Sequence, residues 1–126
     1  MASSSHVEPA REPQMALSLL LRCNSLPETG AFYASLPGFS VSPMGRDPLV
    51  VQGHGCALLF TGTDLWKMPP AFSGTLYIAV ADVDALWEQI RDRATVAWPL
   101  QDMPHGTREF AINDCNGYYV AFQQQD

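Results

Sequence analysis

Basic residues are scarce in this chain: 7 Lys plus Arg stand against 13 Asp plus Glu, for a net charge of −6. Seven dispersed cations cannot build the basic face that nucleic acid requires, so that class of partner is excluded. A cationic or neutral small ligand suits the chain better than an anionic one. Cysteines number 3 and are scattered, at Cys23, Cys56 and Cys115. An odd, widely spaced set gives neither a secreted disulfide framework nor a zinc site, and predicts free thiols in a reducing cytoplasm. Long apolar runs are missing too: nothing approaches the roughly 18–20 residues that span a membrane. The sequence lacks Gly-x-Ser-x-Gly, Cys-x-x-Cys, Gly-x-Gly-x-x-Gly and P-loop patterns, so no catalytic constellation of those kinds is available.

What is present is the composition of a folded protein: 126 residues, 47% hydrophobic and 16% charged. That length makes one domain with a single sizeable core and rules out disorder over most of the chain. Residues 1–14 are polar and read as a flexible tail, which includes His6. The folded domain is expected over residues 15–126, with one module at about 15–61, a linker at 62–73 and a second module at about 74–124.

The two modules do not repeat in letters but in the order of their elements. Met15 to Arg22 is a dense apolar run and reads as a strand. Ser25 with Glu28 three residues on forms a capping-box signature, Pro27 fits the first turn, and a short helix follows to about Leu36, where Pro37-Gly38 stops it. Three short strands are predicted at Phe39–Ser42, Pro48–Gln52 and Cys56–Thr61, with glycine-rich turns at Gly45-Arg46-Asp47 and Gly53-His54-Gly55. In the second half, Thr75 to Ala81 reads as a strand. Asp82 is a good N-cap, and Val83, Leu86, Trp87 and Ile90 recur at helical spacing. Strands are predicted near Thr95–Trp98, at Arg108–Asn113 and at Tyr118–Gln123, with a loop over Pro99–Thr107 and an Asn116-Gly117 turn. The fold class is therefore α+β: two tandem βαβββ modules forming a concave mixed sheet, with helices on its outer face.

Three motifs carry a resemblance. Val80-Ala81-Asp82-Val83-Asp84-Ala85-Leu86 looks like the strand-to-helix junction of the vicinal oxygen chelate superfamily, which contains glyoxalases, extradiol dioxygenases and bleomycin-resistance proteins. The run His105-Gly106-Thr107-Arg108-Glu109-Phe110 to Asp114-Cys115-Asn116-Gly117 resembles its C-terminal signature. Phe32-Tyr33 followed by Gly38-Phe39 resembles its first-helix pattern. The bleomycin-resistance branch is the most similar. Cys115 stands where the signature has Pro, and His105 where it often has Trp.

Metal-dependent members hold a divalent cation with four side chains, at positions that correspond here to Ser18, Leu59, Thr75 and Ala121. Leu59 and Ala121 have no lone pair to offer, and the two hydroxyls are poor ligands for a transition metal. A one-residue slip brings no better donor and turns each strand inside out. The expectation is no metal and no cofactor. His54 and His105 sit in glycine-flanked loops and read as solvated, His105 being the better candidate because the matching family position caps the ligand groove.

Strand alternation assigns the groove wall. Thr75, Tyr77 and Ala79 share a face with Tyr119, Ala121 and Gln123, and in the first strand with Ser18, Leu20 and Arg22. Leu76, Ile78 and Val80 pack behind, against the second helix. Trp66 in the linker and Trp98 in the second half are placed either to cover the groove mouth or to pack in a core or dimer contact; Trp87 reads as core. The candidate ligand-binding residues are thus Ser18, Thr75, Tyr77, His105, Tyr119 and Trp66, with no catalytic residue. The resemblance implies a homodimer that sequesters a cationic, aromatic ligand in grooves at its interface without transforming it. Two other readings stand beside it: an enzyme of the same superfamily with a rearranged metal site, and an inactive domain used for protein contacts.

Overall fold

The computed structural model describes residues 19–126. Ser18 and the N-terminal tail lie outside the described residues. The first unit runs β1 (Leu19–Arg22), α1 (Leu26–Ala34), β2 (Phe39–Val41), β3 (Leu49–Gly53) and β4 (Cys56–Thr61). The second runs β5 (Thr75–Val80), α2 (Val83–Ile90), β6 (Thr95–Asp102), β7 (Arg108–Asn113) and β8 (Tyr119–Gln124). Each unit carries its own four-stranded mixed sheet, in the orders β1-β4-β3-β2 and β5-β8-β7-β6. In both, the first strand pairs parallel to the fourth, Leu21 opposite Phe60 and Tyr77 opposite Ala121, while the remaining pairs are antiparallel. The helix between first and second strands makes that parallel crossover possible.

The helix starts follow the sequence signals. The Ser25 hydroxyl accepts from the Glu28 amide at 3.1 Å, and the Asp82 carboxylate from the Ala85 amide at 3.1 Å, each satisfying an otherwise orphaned donor. α1 ends at Ala34, two residues short of the expected stop, where the chain tightens into a last turn closed by the Leu36 amide donating to the Tyr33 carbonyl at 3.1 Å. The turn between β3 and β4 has His54 at φ 50° and Gly55 at φ 78°, the left-handed pair that a two-residue hairpin demands. The largest departure is β6. It runs on through Pro99 to Asp102, where a loop was expected. Proline is tolerated there because β6 is an edge strand, and its register slips between Val96 and Trp98 and again between Trp98 and Gln101.

Both sheets turn one face to a common core. Leu49, Val51, Phe60, Phe110, Ile112, Val120 and Phe122 are all essentially without solvent contact, as are Val83 and Ile90 from α2. Trp87 packs on Phe110 at 5.1 Å between ring centroids, the core role expected of it. Between the units, Phe39 meets Phe122 at 6.3 Å. Polar ties run the same way: the Tyr118 hydroxyl donates to the Arg22 carbonyl, and the Asn116 amide group donates to the Thr29 hydroxyl at 3.1 Å. His54 is not a solvated loop residue as expected. Its ring packs on Phe39 at 5.0 Å and Phe122 at 6.0 Å, and its Nε2 lies 3.0 Å from the Pro37 carbonyl. Among the described residues no helix is long and apolar enough to cross a membrane.

Candidate functional site

With one face of the second sheet committed to the core, the other faces outward. The alternation in β5 is clean: Leu76, Ile78 and Val80 are buried, Tyr77 and Ala79 exposed, and Thr75 half-buried. In β8, Val120 and Phe122 point to the core and Tyr119 outward. Registers align the outward residues in rows. Tyr77, Ala121, Ala111 and Trp98 lie side by side across β5, β8, β7 and β6, and Thr75, Tyr119, Asn113 and Thr95 form the next row. The two alanines leave room for large rings above them. Tyr119 and Trp98 stack at 6.2 Å with 25° between their planes. Ala111 and Ala121 are consequently fully covered, while Tyr77 and Tyr119 keep 53% and 42% of their surface in solvent. Rings that exposed in adjacent rows make a contiguous aromatic patch, the kind of surface that marks an interaction site.

Glu109 sits on the same face, in β7, and its side chain is fully buried. Burying a carboxylate demands partners. The Trp98 indole N–H donates to Oε2 at 3.2 Å, and the Thr107 hydroxyl donates to Oε1 at 2.9 Å. His105 completes the arrangement: its Nε2 lies 2.8 Å from the Thr107 oxygen and 3.7 Å from Oε1. Because Thr107 gives its proton to Glu109, His105 must give one to Thr107, which places a hydrogen on Nε2. Partial desolvation, then the neighbouring Glu109 carboxylate, hold the Tyr77 phenol above its ordinary range. No lysine or arginine takes part in these Glu109 contacts.

The structure brings Tyr77, Tyr119 and Thr75 together on one sheet face and sets His105 at its edge, over Glu109. Thr75 and Tyr77 also line a cleft of about 400 Å³ shared with Leu19, Leu58 and Phe72. Trp66 is exposed and lies beside Leu20, Arg22 and Met68 in a smaller recess of about 190 Å³, and Leu19 and Phe72 line both this recess and the larger cleft. There Arg22 reaches the Met68 carbonyl and lies 3.8 Å from Asp64. Trp98 and Glu109 were absent from the candidate set. The signal for Glu109 is the alternation within β7, where Phe110 and Ile112 point inward and leave Glu109, Ala111 and Asn113 outward. Trp98 was obscured by the bulges of β6, which break simple alternation.

The metal positions of the family do not fit a divalent ion here. Leu59 and Ala121 bring only carbon, and Thr75 a neutral hydroxyl on a strand where no carboxylate or imidazole joins it. Among the described residues no group of three or more His, Cys, Asp or Glu side chains is placed to hold a metal.

No curated protein matches the sequence. Solved structures do match the fold. A glyoxalase/bleomycin resistance protein/dioxygenase from Alicyclobacillus acidocaldarius is similar at 18% identity and a TM-score of 0.70, over 91% of this chain and 94% of that one. A bleomycin-binding protein, solved in complex with bleomycin, is similar at 18% identity and a TM-score of 0.65, over 90% of this chain and 100% of that one. A protein of unknown function from Agrobacterium tumefaciens str. C58 is similar at 16% identity and a TM-score of 0.72, over 92% and 98% of the two chains. At such identities the likeness speaks for the fold alone. The sequence itself carries the further step: residues 15–122 match the profile of the Glyoxalase/Bleomycin resistance protein/Dioxygenase superfamily, and the chain belongs to that superfamily.

Proposed function

We propose that this protein captures a cationic or aromatic small molecule, without a metal and without transforming it, on the outward face of the second sheet. A second copy completes the groove. The observation that carries this reading is the juxtaposition of exposed Tyr77 and Tyr119 with a buried carboxylate, Glu109, that accepts from Trp98 and Thr107 and lies beside His105. Flat ligands stack on such rings, and the fixed negative charge beneath favours a positive one. The acidity of the whole chain, −6, adds a long-range attraction of the same sign. Family positions occupied by Leu59, Thr75 and Ala121 argue for binding over metal-assisted chemistry. Three free thiols are in keeping with a cytoplasmic protein.

The test is tryptophan quenching on titration with bleomycin and other cationic aromatic compounds, with sedimentation analysis of the free and liganded protein. The expected result is a dimer that binds at least one of them with Kd below about 100 μM, equivalent to about 5.5 kcal/mol. A monomer that binds none of them at that strength overturns the reading.

A further inference from the structure

Glu109 presents a puzzle for a cation-binding face: its side chain has no solvent contact at all. Oε2 is taken by the Trp98 indole and Oε1 by Thr107, with His105 beyond. A ligand N–H approaching from solvent is therefore kept off the carboxylate by Trp98, Thr107 and His105. Solvent reaches Tyr77, Tyr119 and the half-buried Trp98, and His105 at the edge of the face. The bond from the Trp98 N–H to an ionised acceptor is charge-assisted, and it draws the donor proton toward the carboxylate. That leaves the indole ring richer in electrons, which strengthens its pull on a cation over its face. The Tyr77 phenol is raised first by desolvation and then by the same carboxylate, which lies near this second ring as well.

We infer that the ligand's positive charge is carried by a quaternary ammonium or N-alkylated group that sits against the Trp98, Tyr119 and Tyr77 rings, and that Glu109 sets this preference through Trp98 without touching the ligand. Glu109 is then a positioning residue: it locks the indole by its N–H, polarises it, and supplies a fixed charge below the rings. A primary ammonium is disfavoured because ring faces do not replace the hydration of its three N–H donors, whereas a quaternary group has no N–H to satisfy. The polar side chains of Thr75, Asn113 and Thr95 stand in the neighbouring row with Tyr119, not in that of Tyr77 and Trp98. The inference rests on the binding function proposed above and narrows it to one class of cation.

The experiment uses three probes of similar size on the full chain: choline, its neutral carbon isostere 3,3-dimethylbutan-1-ol, and ethanolamine. The readout is the NMR shift of the Trp98 indole N–H, assigned by comparison with Trp98→Phe. Choline is expected to act at a concentration about tenfold lower than either of the others, a ratio that corresponds to about 1.4 kcal/mol. Glu109→Gln keeps an acceptor for the indole but removes the charge, and is expected to bring choline level with its isostere. A merely structural role for Glu109 would weaken all three probes alike and leave the ratio unchanged. Should that variant fail to fold, Trp98→Phe carries the test by tryptophan-independent saturation-transfer NMR, because it keeps a ring, deletes the N–H and should shrink the ratio. Equal binding of the three probes, or ethanolamine ahead of choline, overturns the inference while leaving small-molecule capture intact. The same holds if none of the three binds but bleomycin does. Failure of every cation tested, bleomycin included, overturns both.

Discussion

The Tyr33 hydroxyl donates to the Asp114 carboxylate at 2.7 Å, joining α1 of the first unit to the β7–β8 turn of the second. Both residues are buried, and Asp114 also accepts from the backbone amides of Asn116 and Tyr118 at 2.9 Å each. One carboxylate thus shapes the turn and ties the two units together. Deleting the hydroxyl leaves Oδ2 buried without its partner. Tyr33→Phe is expected to lower stability by about 1–3 kcal/mol, the cost of an unsatisfied buried acceptor. The urea midpoint should fall with an unchanged slope; an unchanged midpoint would mean that water takes the place of the phenol.

Asp114 also gives a pH dependence with a definite sign. Burial holds its carboxyl above the usual carboxylate range, although Tyr33 and the backbone amides pull the other way. The folded state therefore binds that proton more tightly than the unfolded chain does. Its contribution to stability is fully present below the ordinary aspartate value of about 3.9, and is lost as pH rises through the raised folded value. Asp114→Asn removes the titration while keeping an acceptor for the two amides. The stability of the wild type relative to this variant should decline as pH is raised from about 4 toward neutrality. Urea midpoints of both proteins across that interval check it, and a relative stability that climbs with pH contradicts it.

Much of this architecture is legible in the residues. Ser25, Asp82 and the Val83-Leu86-Trp87-Ile90 spacing gave both helices, and the alternation in β5 and β8 gave the faces of Tyr77 and Tyr119. Where the reading failed, nonlocal context decided. Pro99 looks like a breaker until β6 is known to be an edge strand with bulges. His54 looks solvated until Phe122, far along the chain, is seen packed against it. Glu109 belongs to the C-terminal motif, yet its burial and its bond to Trp98 depend on the register between β6 and β7, which no local pattern specifies. Trp66 lines a recess with Leu20 and Arg22, the β1 residues that alternation puts on the groove face.

The absence of family-type donors makes a prediction about metals. Protein purified without added metal should hold nickel, zinc, iron and manganese at well below one equivalent per chain, measured by elemental analysis. Its thermal midpoint should be the same before and after dialysis against a chelator, since a metal bound to the native state would add stability by mass action. Stoichiometric metal, or a midpoint lowered by the chelator, would mean that the described residues and those before residue 19 build a site unlike that of the metal-dependent relatives.

Tyr77 distinguishes binding from folding most directly. More than half of its surface is in solvent, and its row neighbours are the small Ala121 and Ala111. Truncating it uncovers little core, so Tyr77→Ala should cost stability by no more than about 1 kcal/mol. The loss of a stacking ring should cost binding about 1–2 kcal/mol, a roughly fivefold to thirtyfold rise in Kd. Tyr119→Ala should weaken binding as well, but with a larger stability loss, because its ring also stacks on Trp98 and covers the two alanines. The comparison needs a denaturation curve and a ligand titration for each variant against the wild type. A large stability loss for Tyr77→Ala with unchanged binding would move Tyr77 out of the groove and into the fold's own packing, and would leave Trp98 and Tyr119 alone to hold the ligand.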